Sequence, residues 1–178
     1  MNVSNLYIPH LIKKITLAAA AVFITLFAAA QGDPTDSLPG DPGALTIYKV
    51  QNLNFGAFSV GNTGGTVLIQ NNGSRTVTGD VVALNMGALY FQAIFDVDGP
   101  NGAIVSITNG PDVTLVGSNG GTLLMHIGNS APSSPFIITV VQPARTAVNI
   151  GGTLTAGPPG SNPPGLYSAN FYVTFNLE

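Results

Sequence analysis

Apolar residues recur at every second position along much of this chain, the spacing of strands with one buried and one wet face. Two stretches near the C-terminus carry the pattern most clearly. Val148, Ile150, Gly152, Leu154 and Ala156 share one parity, while Asn149, Thr153 and Thr155 take the other. After a Pro/Gly-rich loop over 158–165, Ala169, Phe171, Val173, Phe175 and Leu177 alternate with Asn170, Tyr172, Thr174 and Asn176. Both stretches are expected to sit in the core of a β-sandwich.

Upstream, short β-rich runs cover 45–50, 53–60, 66–70, 77–84, 90–97, 103–108, 113–116, 122–127 and 136–141. Turn signals punctuate them at Gly64-Gly65, Asn71-Asn72-Gly73, Asn101-Gly102, Asn109-Gly110-Pro111, Asn119-Gly120-Gly121 and over 131–135. The spacing predicts an all-β, immunoglobulin-like or pilin-like antiparallel sandwich of about 9–11 short strands. No helical period appears after residue 31, and there is no internal repeat.

The N-terminus reads differently. His10, Lys13 and Lys14 precede the apolar run 15–30, which closes on Ala28-Ala29-Ala30. Basic flank, apolar centre and small-residue end are the layout of a secretory signal peptide, so residues 1–30 are assigned to a leader cleaved near Ala30. A retained anchor is the competing reading; the run is short for a bilayer, and Asp33, Pro34 and Asp36 follow in place of a basic stop. Residues 31–43 form a polar Pro/Gly spacer, and residues 44–178 a single sandwich domain. Asp36-Ser37-Leu38 resembles the Asp-Ser/Thr-aliphatic sequon of periplasmic O-glycosylation, which marks Ser37.

Composition narrows the functional classes. Of 178 residues, 45% are hydrophobic and only 7% charged, enough to bury a core without a densely charged skin. Without the leader, Lys49, Arg75 and Arg145 stand against seven aspartates and Glu178, three against eight, a net charge of −5. Scattered cations on an acidic surface leave no footprint for nucleic acid or anionic lipid. The chain has no cysteine, which removes a thiol nucleophile, a thiolate metal site, a disulfide staple and an acylated cysteine tether. Nucleic acid is therefore not expected as a partner, nor is membrane insertion after cleavage.

Candidate chemistry is sparse. His126 is the one histidine outside the leader, and parity puts it on the face opposite Leu123, Met125 and Ile127; no nucleophile elbow accompanies it. Asp96 and Asp98 fall two apart on a strand at the mouth of the Gly99-Pro100-Asn101-Gly102 turn. As a calcium loop the segment has Pro100 at the fifth position and Ile107 where a bidentate glutamate belongs, which leaves Asp96 and Asp98 a weak calcium pair. Tyr48, Tyr90, Tyr167 and Tyr172 are the tyrosines a glycan platform could use, without tryptophan to help. No cofactor and no catalytic residue is assigned, and the expectation is a non-enzymatic protein.

Gly165-Leu166-Tyr167 followed by Ala169 matches the tyrosine corner that opens the sixth strand of immunoglobulin-type sandwiches, with Ala169 at the buried position of a disulfide cysteine. A seventh strand would follow in a complete sandwich, and the sequence stops at Glu178. The vacancy is filled by another strand of the chain or by one from a partner; residues 32–43 lack the alternation of a donor strand, so internal completion is expected.

Leu53-Asn54-Phe55-Gly56, Gly151-Gly152-Thr153-Leu154-Thr155, Pro164-Gly165-Leu166-Tyr167 and Val173-Thr174-Phe175 together resemble a domain-of-unknown-function family of secreted bacterial domains (DUF4402-like), widespread in Gram-negative bacteria. At greater distance they are similar to spore-coat-U and pilin-type domains. The resemblance spans essentially the whole chain after the leader. It implies an exported immunoglobulin-like sandwich, carries over no catalytic residues, and leaves Gly151, Gly152, Gly165 and Tyr167 with structural roles. The function expected is that of a pilin- or coat-like surface protein contacting itself or other surface subunits through sheet edges, in the periplasm, on the outer surface or outside the cell. A glycan- or peptide-binding module is the alternative.

Overall fold

The computed structural model describes residues 43–87 and 89–178. The leader 1–30, the spacer up to residue 42 and Ser37 lie outside the described residues. The described chain folds entirely as β structure: β1 (Thr46–Gln51), β2 (Phe58–Ile69), β3 (Arg75–Ala83), β4 (Ala93–Asp98), β5 (Ile104–Asn109), β6 (Val113–Gly117), β7 (Thr122–Ala131), β8 (Phe136–Ile137), β9 (Thr146–Ala156), β10 (Tyr167–Ser168) and β11 (Val173–Leu177). All pairings between these strands are antiparallel, in a curled eight-stranded sheet and a three-stranded sheet ordered β11-β5-β8.

The larger sheet is organised on β9, whose alternation was the clearest in the sequence. Val148 and Ile150 are fully buried and Leu154 and Ala156 nearly so; each of the three larger side chains contributes about 1.5–3 kcal/mol when removed from water. On one flank β9 pairs with β7, and β6 and β10 continue outward. The other flank is shared: Thr146–Ile150 pairs with β4, backed by β1, and Gly152–Ala156 pairs with β2, backed by β3.

Gly151 stands where the two halves of that flank meet. A Cβ there would lie within 3.0 Å of the Ile69 carbonyl oxygen and 3.0 Å from the Asn71 nitrogen, so the end of β2 can arrive only because the side chain is missing. Across the strand Gly128 and Asn129 together oppose Gly151, a bulge that shifts the register between Ile127 and Ser130. One glycine therefore serves both a branch point and a bulge.

The core is one cluster between the sheets. Val67, Ile69, Val97, Ile127 and Leu154 come from the large sheet, and Val105 and Phe136 from the small one. Four expectations are corrected. Gly64-Gly65 is not a turn but lies inside β2, where Gly64 takes φ 75° and β2 slips against β3 between Val60 and Gly65. The 53–57 stretch forms no strand beyond a single bridge, Asn54 to Phe91. The 169–177 stretch is not a core strand: the chain leaves β6, runs without pairing over 169–171 and joins β5 as β11, with Val173 and Phe175 only half-buried. Ala169, expected at a buried inter-sheet position, is exposed.

Candidate functional site: an apolar groove beside an unpaired edge

Three strands cannot cover eight, and the remainder of the large sheet's inner face is roofed by irregular chain. Between two such segments lies a groove of about 1290 Å³. Phe95, Leu115, Leu123, Met125 and Leu154, four of them core side chains, form its floor.

The first wall is the Leu53-Asn54-Phe55-Gly56 motif. Leu53 and Phe55 settle over Gly152: a Cβ on that glycine would stand 2.8 Å from Leu53 Cδ2 and 3.5 Å from Phe55 Cζ. Two motifs distant in sequence are thus the two halves of one contact. Asn54 exchanges backbone bonds with Phe91 (2.8 and 2.9 Å), and its side chain accepts from the Gly56 N–H at 2.9 Å. Gly56 takes φ 72°, which ends the extended run. Arg75 holds the wall from outside, donating to the carbonyls of Phe55 and Ala57 at 3.2 Å each while its guanidinium lies 4.2 Å from the centre of the Tyr90 ring.

The second wall is the chain from Pro159 to Val173. The Tyr167 hydroxyl donates to the Pro163 carbonyl at 2.6 Å, four residues upstream, the bond that makes a tyrosine corner. Asn119 donates to the Pro164 carbonyl at 2.6 Å. The Leu166 N–H reaches Ser118 Oγ at 3.1 Å, and the Ser118 N–H returns a bond to the Leu166 carbonyl at 2.9 Å. Gly165 makes room for that exchange, since a Cβ there would be 2.8 Å from the same Oγ.

At its far end the groove reaches Val173, the first residue of β11. The phase of that strand follows from two bonds, Glu178 N–H to the Ile104 carbonyl and Gly110 N–H to the Tyr172 carbonyl. Thr174 and Asn176 therefore turn their backbone groups to β5, and Val173, Phe175 and Leu177 turn theirs to the outer side, where no described strand pairs. Internal completion, expected from the sequence, is not what the described residues show. Leu166 and Tyr172 at the rim are 77% and 75% exposed.

The other singled-out residues do not converge on this groove. His126 Nδ1 lies 2.7 Å from Asp112 Oδ1, and both side chains are largely exposed. Sequence reasoning missed this pair; the signal was the Asn119-Gly120 hairpin, whose register places Val113 opposite Met125. Asp98 accepts from Gln142 at 2.9 Å, and among the described residues no third histidine, cysteine, aspartate or glutamate joins Asp96 and Asp98. Tyr48 and Tyr90 each have a guanidinium over one ring face, from Arg145 and Arg75. They form no joint platform with Tyr167 and Tyr172.

Fold and groove together define an antiparallel β-sandwich domain without cysteine, whose second sheet is too small to close the first. A family model described as Domain of unknown function (DUF4402) matches residues 45–176, and the chain belongs to that family. No curated protein and no solved structure matches the chain.

Proposed function

We propose that the protein is an exported, non-enzymatic structural component of a cell surface, pilin- or coat-like, which associates with itself or with other surface subunits through its sheet edges. One observation carries the reading: a groove floored by core side chains ends at a strand whose backbone donors and acceptors face outward, unpaired among the described residues. An added strand would gain main-chain hydrogen bonds along β11 and cover apolar surface in the groove, the combination that makes strand addition favourable. The scarcity of charge on the chain suits a protein that packs against neighbours. In this reading the leader is removed, nothing inserts in the membrane, and neither nucleic acid nor a cofactor takes part.

The test is to shear surface material from the host and run it, unheated and heated, on a denaturing gel probed for this chain. A ladder of heat-labile multimers is expected. Val173→Pro removes one outward donor at the first position of β11, where proline is tolerated and no bond to β5 is lost; it should shorten the ladder. A single monomer band in both lanes, from soluble material, would overturn the proposal and favour a peptide- or glycan-binding module.

A further inference from the structure

A second concavity, of about 460 Å³ and sharing no lining residue with the groove, lies among the β2–β3 turn, the end of β5, the bulge of β7 and the β7–β8 loop. Its lining is almost wholly neutral and polar: Asn71, Asn109, Asn129, Ser130, Ser133 and Ser134, with Ile107 the one apolar member. Four separate elements bring three amides and three hydroxyls to one place.

The hydrogen bonds divide this set in two. Asn109 donates through Nδ2 to the carbonyls of Ile127 and Gly128, at 3.3 and 3.0 Å. Its amide is thereby oriented, and its Oδ1 is left as an acceptor. Ser134 Oγ accepts from the Ile107 N–H at 2.7 Å, which keeps its own O–H to give. These two residues bind β5 to the bulge and to the β7–β8 loop. Among the described residues, the side chains of Asn71, Asn129, Ser130 and Ser133 find no hydrogen-bond partner.

The shape is built by features already described. The bulge at Gly128-Asn129 resets the alternation of β7, so that Ser130 stands opposite Ile150. The bare Cα of Gly151 lets the turn at Asn71 approach.

We infer that this concavity binds a neutral polyhydroxylated ligand, a sugar ring, by hydrogen bonds from the free amides and hydroxyls of Asn71, Asn129, Ser130 and Ser133. Each amide offers donors and an acceptor together, and each hydroxyl can do either, which matches vicinal sugar hydroxyls that also do both. Ile107, half-buried against the core, is the one apolar residue at its edge. The volume lies within the range of about 300–1,000 Å³ usual for small-molecule sites. Charged ligands fit poorly: among the described residues no lysine or arginine lines the wall for an anion, and no carboxylate lines it for a hard cation. No lining residue belongs to the groove or to β11, although Ile107 and Asn109 pair with Phe175 and Val173 of that strand; sugar binding is read by a measurement separate from assembly.

The test is an amide-resolved NMR titration of the full protein with glucose, galactose and N-acetylglucosamine, and separately with inorganic phosphate and calcium chloride. At least one sugar should shift the signals of Asn71, Asn109 and Asn129, with a Kd on the order of 1 mM, as expected for one ring without aromatic stacking. Asn129→Ala and Ser133→Ala remove groups with no bond inside the fold, and each should weaken binding about tenfold, the equivalent of one hydrogen bond of about 1.4 kcal/mol. No shift with any of the three sugars, or the same affinity in both variants, would overturn the inference. So would shifts at these residues caused by phosphate or calcium in place of sugar.

Discussion

Adding one methyl group at Gly151 should separate the two halves of the large sheet's flank. The new Cβ would lie within 3.0 Å of the Ile69 carbonyl oxygen and 3.0 Å from the Asn71 nitrogen, both main-chain atoms in paired or turning chain. Neither can yield as a side-chain tip would, so the end of β2 must move off β9. Overpacking of this kind costs about 1–3 kcal/mol, and a weakened ladder bond adds about 1 kcal/mol. The gain from a less flexible unfolded chain returns about 0.4–1 kcal/mol. Gly151→Ala is therefore expected to lose about 1–3.6 kcal/mol net. Gly152→Ala supplies the comparison. Its nearest neighbour is the tip of Leu53 at 2.8 Å, with the His126 carbonyl oxygen at 3.2 Å, so most of the strain relaxes by a rotamer change and the loss should be about 1 kcal/mol. At Gly160 nothing lies within 4 Å, and alanine should be neutral or stabilising by up to about 1 kcal/mol. Urea unfolding with a common m-value measures all three. Gly151→Ala as stable as wild type, or more stable than Gly152→Ala, would refute the branch-point argument.

Other substitutions test the remaining parts. Tyr167→Phe removes the bond to Pro163 and should cost about 0.5–1.5 kcal/mol, a fall in Tm of about 2–6 °C by calorimetry. Arg75→Lys keeps the charge but loses the planar fork over Phe55, Ala57 and Tyr90; faster amide exchange over 53–57 is expected, with little change in β9. Leu154→Ala truncates a side chain 2% exposed in the core and should cost about 2–5 kcal/mol in the same urea assay. Asp112→Asn breaks an exposed pair with His126, and its effect on the urea midpoint should correspond to less than about 1 kcal/mol.

The sequence was most readable where side-chain period and backbone pairing coincide. In β9 they do, so Val148, Ile150, Leu154 and Ala156 could be placed from parity alone. Over 53–57 they part: Leu53 and Phe55 alternate because both point inward, yet the backbone makes one bridge and no strand. Alternation reports which side chains are buried and says nothing of where N–H groups go. Ala169 and Phe171 mislead in the same way, since the chain there is crossing between sheets. Gly64-Gly65 resembles a turn because glycine serves tight turns and close strand contacts alike; here the position of a Gly65 Cβ is taken by the Thr78 carbonyl. The groove and the amide-lined concavity could not be read at all. Both depend on which strands end up facing each other, a long-range property that local pattern does not encode. The tyrosine corner was legible because it is local, with donor and acceptor four residues apart.

The position of β9 in the chain sets the order in which the molecule can form. Val67 waits for Leu154, Phe95 for Val148 and Met125 for Leu154, so a chain emerging from its N-terminus has hairpins such as β2–β3 and β6–β7 long before it has a sheet. Loop-closure entropy must be met across most of the domain before the central partner repays it, which places folding in the slow regime of roughly milliseconds to seconds. Until residues 146–156 arrive, the chain is held in pieces too small to be stable alone. A polypeptide with that schedule has no closed core until residues 146–156 are in place, and becomes compact only near the end of its synthesis.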